Sequence, residues 1–189
     1  EFDAGLQVRL HTSQSDVNFA QEDIDAAIMV GQPTDSNLHY DHLFDCELFP
    51  VCSPAFLERH GPFETPEQLA GHPILQVYPS AGDWHVWLES NNVRGVSPDS
   101  GLQLESYDVA LSSATQGIGI ALGQQPYISD EIETGTLIEI FPKLRLRNPN
   151  RWYLACRSEK RDSPKLVSFR RWLFSQIEAD DQLTLRSVG

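Results

Sequence analysis

The sequence of 189 residues predicts an α/β fold. Short apolar segments typical of buried strands alternate with segments that carry helix-start signals, and this alternation is the signature of α/β domains. The same succession of strand and helix occurs twice, which favours two lobes of similar construction. With 40% hydrophobic residues the chain can bury a core. No apolar run approaches the length of a membrane-spanning helix.

The first predicted elements are mostly strands. Residues 6–10 alternate apolar and polar side chains, as a half-buried strand does. Residues 24–31 form an apolar segment that ends at a glycine and is typical of a buried parallel strand. A third strand is predicted at residues 48–52, and a threonine followed by proline at 65–66 predicts a helix start.

The second half of the chain alternates more regularly between the two kinds of element. Strands are predicted at residues 74–78, 102–104, 117–122, 137–141 and 152–156, and helices at 83–88, 106–114, 129–134 and 163–177. In the last helix, apolar side chains recur at helical spacing and predict one buried face.

The charge is strongly acidic and unevenly distributed. Asp and Glu number 27 against 14 Lys and Arg, a net charge of −13. The first 142 residues carry 22 acids and 3 bases, whereas the last 47 carry 5 acids and 11 bases. DNA binding by the chain itself is therefore not expected, because phosphates would be repelled. The basic C-terminal part predicts either ordinary packing against the acidic body or a rim that attracts an anionic ligand.

Polar residues lie where predicted strands end, which is where open α/β sheets bind ligands. Four such segments are residues 12–15, 30–32, 106–108 and 123–125. The predicted effector contacts in them are Thr12, Ser13, Gly31, Ser106, Tyr107 and Gln124. Ser106 precedes a helix whose first N–H groups suit a carboxylate or phosphate, although Asp108 competes for that field. Ser106 also fits a plain helix cap, which its position favours, and Thr12 and Ser13 also fit ordinary loop residues.

Signals for catalysis or metal binding are weak. The sequence has no G-x-S-x-G elbow, no phosphate-binding loop and no H-E-x-x-H pair. His39 and His42 lie close together beside Asp41, which is a weak metal candidate. Three Cys residues without paired spacing argue against a disulfide scaffold or a zinc site. The sequence thus predicts no catalytic residue, no metal, no cofactor, and a reduced cytoplasmic chain that is not an enzyme.

Five blocks resemble, in order and spacing, the effector-binding domain of LysR-type transcriptional regulators. They are residues 48–54, 65–75, 114–122, 132–137 and 163–173. The segments around Trp84 and Trp152 look most like the subgroup that contains the glycine-cleavage activator and the regulator of chromosomal β-lactamase. The resemblance covers the chain from about residue 6 to residue 177.

The resemblance implies two Rossmann-like lobes of the type II periplasmic-binding-protein kind. Lobe one would comprise residues 1–74 plus 153–189, and lobe two residues 75–152. Tyr78 and Trp152 would lie at the two crossovers and line the effector cleft. The resemblance also implies a winged helix-turn-helix that is not in this chain, and a first strand and helix of lobe one before Leu6. The chain is therefore expected to be a fragment.

These observations together predict the ligand-sensing domain of a bacterial LysR-type regulator. It would bind a small polar effector between its lobes, act as a homodimer or homotetramer in the cytoplasm, and reach DNA only through the absent domain. An amino acid, a small carboxylate and a peptide-like cell-wall fragment fit the site equally well. The alternatives are a free-standing periplasmic-type solute-binding protein and, less well supported, an enzyme on the same fold.

Overall fold

The computed structural model describes residues 7–13, 17–80, 82–180 and 183. The strands are β1 Ala27–Gly31, β2 Leu38–Phe44, β3 Glu47–Cys52, β4 Ile74–Val77, β5 Leu102–Leu104, β6 Ile120–Gln125, β7 Ile138–Glu139, β8 Leu146–Arg147 and β9 Arg151–Arg157. The α-helices are α1 Pro54–His60, α2 Gly82–Ser90, α3 Tyr107–Thr115, α4 Ser129–Glu133 and α5 Pro164–Ala179. Among the described residues, no helix is both long enough and apolar enough to cross a membrane.

The chain divides into two compact units. Unit 1 comprises Glu1–Asp45 and Pro149–Gly189, and unit 2 comprises Cys46–Asn148. The first boundary of the predicted lobes lies after residue 74, whereas unit 2 begins at Cys46. Residues 46–74 belong to unit 2 because β3 pairs with β6.

Unit 1 is built on an antiparallel sheet in the order β1–β9–β2. β9 is its central strand and pairs with both neighbours, for example Val30 with Trp152 and Tyr40 with Ala155. Helix α5 belongs to the same unit. It is tied to β2 by an ion pair of 2.6 Å between Arg170 Nε and Asp41 Oδ2.

Two predictions for unit 1 are wrong. The strand within residues 24–31 is antiparallel rather than parallel. It is not fully buried, since it lies at the edge of the sheet formed by the described residues, with Ile28 and Val30 exposed by 48% and 41%. Residues 7–10 form no strand, because Val8 and Leu10 are exposed and no other strand pairs with them within the described part of the chain. Leu6 of that predicted strand, and Gln14 and Ser15 of the predicted loop, lie outside the described residues.

Unit 2 holds a mixed sheet in the order β5–β4–β6–β3–β7, with β8 also pairing with β3. β4 runs parallel to both β5 and β6, and β3 runs antiparallel to β6. The sheet is covered on both faces, so its strands alternate between two buried clusters. In β3, Leu48 and Cys52 face one cluster while Phe49 and Val51 face the other. The uninterrupted apolar segment predicted at residues 48–52 is explained by this double burial.

Two tryptophans of α2 anchor the first of these clusters. Trp84 and Trp87 are fully buried. Trp84 Nε1 donates to Leu75 O at 3.1 Å, and Trp87 Nε1 donates to Leu144 O at 2.8 Å. Because both indole N–H groups find acceptors, the burial of these large side chains carries no unpaired donor.

Candidate functional site

Three predicted contacts lie at the same end of the sheet of unit 2, two of them just after a parallel strand and the third within the last residues of one. β4 ends in register with β5, since Val77 pairs with Leu104. Tyr78 therefore begins the 3₁₀ helix after β4 at the level where Ser106 follows β5. β6 runs parallel to β4 and carries Gln124 toward the same end. The carboxyl ends of neighbouring parallel strands form the usual ligand-binding edge of such sheets.

Ser106 is the N-cap of α3. Its backbone is extended, its Oγ accepts a hydrogen bond from Val109 N at 3.3 Å, and its carbonyl accepts one from Ala110 N at 3.1 Å. The N–H groups of Tyr107 and Asp108 have no acceptor within the described part of the chain. Since a hydroxyl that accepts can still donate, Ser106 and these two N–H groups offer three donors to an oxygen of a ligand.

The side chain of Tyr107 is engaged inside the protein. Its O–H donates to Asp83 Oδ2 at 2.5 Å. Burial, followed by the charge of Asp83, raises the pKa of Tyr107 well above its usual value. Burial also raises the pKa of Asp83, and the hydrogen bond from Tyr107 opposes that rise. Contact of Tyr107 with a ligand stays a prediction, and the group it offers is its backbone N–H.

Tyr78 and Gln124 occupy surroundings that differ from those predicted. Tyr78 lies within unit 2, away from the chain crossing between Asp45 and Cys46, and its side chain is 70% exposed. Gln124 lies inside β6 rather than in a loop after it, because pairing with Leu48 and the neighbouring pair of Gln125 with Glu47 extend the strand. The side chain of Gln124 is buried, with 5% exposure.

In unit 1, Gly31 and Trp152 lie at one end of the sheet. Val30 pairs with Trp152 and Gly31 with Arg151. The ring of Trp152 is half-buried and its centroid lies 5.9 Å from that of Phe44 on β2. The chain crosses from unit 2 just before β9, so Trp152 does lie beside a crossing.

Thr12 and Ser13 are exposed and lie outside regular secondary structure. Contact of Thr12 and Ser13 with an effector stays a prediction, and so does binding of the effector between two lobes.

Arg145 was not singled out from the sequence, although it binds more groups than any predicted contact described above. Its guanidinium contacts Glu139 at 2.8 and 2.6 Å, Glu47 at 3.1 Å and Gln125 at 2.9 Å. It also lies 4.4 Å above the ring of Phe49. Hydrogen bonding to Glu139 is the main cause of its raised pKa. The carboxylates satisfy this arginine, so it stabilises the sheet rather than attracting an anion.

Other cations of the basic C-terminal part are paired in the same way. Lys165 Nζ lies 2.6 Å from Asp25 Oδ1, and Arg170 binds Asp41. For these residues the structure favours ordinary packing over a rim that attracts anions.

Histidine and cysteine side chains are the candidate metal ligands and nucleophiles of this chain. His39 contacts Asp41 at 3.1 Å and His42 contacts Asp45 at 2.9 Å, so each ring has an acidic partner of its own. Within the ranges that the structure describes, no group of three or more His, Cys, Asp or Glu side chains could hold a metal ion. None of the three buried cysteines forms a disulfide within the described part of the chain, and burial raises the pKa of Cys52 to about 11. A thiol with such a pKa is a poor nucleophile at neutral pH.

Comparison with known proteins gives consistent matches. The family model described as "LysR substrate binding domain" matches residues 3–177. The glycine cleavage system transcriptional activator of Escherichia coli K12 is 29% identical over 178 residues, covering 94% of this chain and 58% of that protein. The HTH-type transcriptional regulator DsdC of the same strain is 27% identical over 179 residues, covering 92% and 57%. The chain therefore spans less than two thirds of these relatives.

Solved structures match as well. The effector domain of the transcriptional regulator AmpR of Pseudomonas aeruginosa has a TM-score of 0.76 at 22% identity, covering 90% of this chain and 80% of that one. The regulatory domain of CrgA, a LysR-type transcriptional regulator from Neisseria meningitidis, has a TM-score of 0.74 at 24% identity, covering 87% and 80%. At these identities the likeness concerns the fold.

Proposed function

This chain belongs to the LysR substrate-binding domain family, the ligand-sensing part of LysR-type transcriptional regulators, and from that membership we propose that it binds a small polar effector at the N-terminus of α3. The family resemblance and the α/β fold class predicted from the sequence are both confirmed by the matches. The alternative of a free-standing solute-binding protein is not supported, because the matching relatives named above are transcriptional regulators. The same relatives give no support to an enzyme.

The donors around Ser106 carry the proposal. The Ser106 hydroxyl and the N–H groups of Tyr107 and Asp108 lie at the carboxyl end of three parallel strands. They suit an acceptor oxygen such as that of an amino acid, a small carboxylate or a peptide-like fragment. The exposed ring of Tyr78, at the same end, offers an apolar surface and a hydroxyl.

The effector acts by shifting the equilibrium between two arrangements of the regulator. An effector that binds one arrangement of the regulator better than another favours that arrangement, by about 1–3 kcal/mol in typical allosteric proteins. We propose that the whole regulator is cytoplasmic, works as a homodimer or homotetramer, and contacts DNA through a domain outside this chain. The share of the relatives that the chain spans supports this proposal, as does the helix-turn-helix type in the name of one relative.

The test is a thermal-shift screen of the protein against amino acids, small carboxylates and muropeptide-like compounds. A ligand at a hundredfold excess over its Kd stabilises the folded state by about 2.7 kcal/mol. We expect a dose-dependent rise in Tm for one of these classes, and we expect Ser106→Leu to abolish it.

The cap that Ser106→Leu removes is worth about 1 kcal/mol, so the Tm without ligand should fall by only a few degrees. The matched control is Ser112→Leu, the same change at an exposed position of α3. It should respond to ligand as the unsubstituted chain does. If Ser106→Leu also keeps the ligand response, the proposed site is wrong. If its Tm collapses without ligand, Ser106 serves only as a structural cap.

A further inference from the structure

Helices α2 and α3 are joined at their first turns by one side-chain hydrogen bond. Asp83 lies in the first turn of α2, and Tyr107 is the first residue of α3. The bond from Tyr107 O–H to Asp83 Oδ2 measures 2.5 Å, in the range of strong bonds between a hydroxyl and a carboxylate. Both side chains are half-buried.

Asp83 lies on a helix whose neighbouring residues are anchored to the rest of unit 2. The next residue, Trp84, is buried and donates its indole N–H to the carbonyl of Leu75 in β4. A second buried tryptophan, Trp87, fixes the following turn of α2 by its bond to Leu144 O. The carboxylate that Tyr107 reaches therefore belongs to a helix that two buried tryptophans anchor to unit 2.

Tyr107 is the covalent neighbour of Ser106. Holding its phenol fixes the direction in which α3 starts, and with it the directions of the Ser106 hydroxyl and of the N–H groups of Tyr107 and Asp108. The long contact of 3.3 Å between Ser106 Oγ and Val109 N is by itself a weak restraint on that first turn. The bond to α2 is therefore a further restraint on the orientation of the three donors, beside the backbone bond from Ala110 N to Ser106 O.

We propose that Asp83 and Tyr107 are a positioning pair, which holds the N-terminus of α3 so that the donors around Ser106 face the effector. Neither side chain needs to touch the ligand. The inference rests on the proposed function of Ser106. It adds Asp83 and Tyr107 as residues that raise the affinity for the effector by orienting the donors around Ser106.

The chain supplies a matched control on the same helix. Tyr127 O–H donates to Asp108 Oδ1, a second tyrosine–aspartate bond that reaches α3 from the segment before α4. Tyr127 is 53% exposed, so water can replace its hydroxyl when the bond is removed. Tyr127→Phe deletes the same chemical group as Tyr107→Phe, at the surface instead of between helices.

The first measurement is amide hydrogen exchange of the unliganded protein. We expect Tyr107→Phe to speed exchange of the Val109 and Ala110 amides about tenfold, because a bond to a carboxylate is lost, while exchange in β6 stays unchanged. Asp83→Ala should act in the same way. Asp83→Asn should restore slow exchange since its amide oxygen can still accept, and Tyr127→Phe should match the unsubstituted chain.

The second measurement is the Kd for glycine and for acetate, as an amino acid probe and a carboxylate probe, followed by NMR shifts of the Ser106 and Val109 amides. Tyr107→Phe and Asp83→Ala should each raise the Kd of the binding probe about tenfold, with Asp83→Asn within about threefold of the unsubstituted chain.

Three outcomes overturn a part of the argument. If a probe binds the unsubstituted chain and Tyr107→Phe leaves both its Kd and the local exchange unchanged, the positioning pair is refuted and the proposed site stands. If Tyr107→Phe speeds exchange throughout unit 2, the bond is a general stability contact, which also refutes the pair. If neither probe shifts the Ser106 amide in the unsubstituted chain, the proposed amino acid or carboxylate site fails, and the positioning role fails with it.

Discussion

Replacing Gly119 with alanine should loosen the pairing of β4 and β6. A Cβ at Gly119 would lie 2.4 Å from the carbonyl oxygen of Pro73 and 3.2 Å from Leu75 Cγ, so one of the two chain segments must move. The same Pro73 oxygen accepts a hydrogen bond from Ile120 N at 2.9 Å, and a retreat would stretch that bond. The register of the two strands begins at this point, with Ile74 opposite Ile120.

The size of the effect follows from this geometry. Relieving the contact requires a shift of about 1 Å in a packed interior, and such overpacking costs about 1–3 kcal/mol. For a protein of this size the Tm should fall by about 2–12 °C. Because β4 and β6 lead to Tyr78 and Gln124, ligand affinity should weaken together with stability.

Thermal unfolding followed by circular dichroism measures the change. The control is Gly82→Ala, at the start of α2, where a Cβ would meet no atom within 4 Å. That variant should be within about 1 kcal/mol of the unsubstituted chain, on the stable side. The argument is refuted if Gly119→Ala melts at the unchanged temperature, or if the two variants lose the same stability.

Three further changes test other parts of the structure. Burial and the charge of His60, whose ring lies 5.3 Å away, lower the pKa of His72. His60→Gln should therefore raise the pKa of His72 toward 6.5 in an NMR titration of the imidazole, and the protein should lose less stability as the pH falls below 6.5. An unchanged pKa of His72 would contradict the repulsion between the two rings. With a pKa of about 11 and full burial, Cys52 should resist a disulfide reagent at about pH 8 until the protein is unfolded, whereas rapid labelling of the native protein would contradict the burial. Arg145→Met leaves the largely buried carboxylate of Glu139 without its cation and should lower the free energy of unfolding in urea by about 1–3 kcal/mol. Adding Glu139→Gln should recover most of that free energy. If it does not, the stacking of Arg145 on the ring of Phe49 contributes more than the charges do.

The sequence predicts well those elements whose side chains depend on local features, such as burial on both faces or a helix cap. The apolar segments at residues 48–52 and 74–78 coincide with β3 and β4 because both faces of that sheet are covered. Ser106 was identified as a cap because capping chemistry is local. The helical spacing in residues 163–177 likewise marks α5.

The misplaced features depend on residues far along the chain. Alternation in residues 7–10 shows that the segment can form a strand, but not whether a neighbour exists. The direction of β1 is decided by β9, more than a hundred residues later. Tyr107 turns toward Asp83, a partner 24 residues earlier, which no spacing in the sequence reveals. Gln124 enters a strand because Leu48 lies opposite to it.

The sheet of unit 1 has a consequence for synthesis on the ribosome. β1 and β2 pair with β9 and, in the described sheet, not with each other. All the strands of unit 2 emerge before β9 does, so unit 2 can complete its sheet while the earlier strands still wait for a partner. β1 and β2 thus leave the ribosome before every strand of unit 2 and find their partner only after all of those strands have emerged. A chain that stopped before residue 151 would leave β1 and β2 without the strand that pairs with both of them, and such unpaired strands are prone to aggregation and proteolysis.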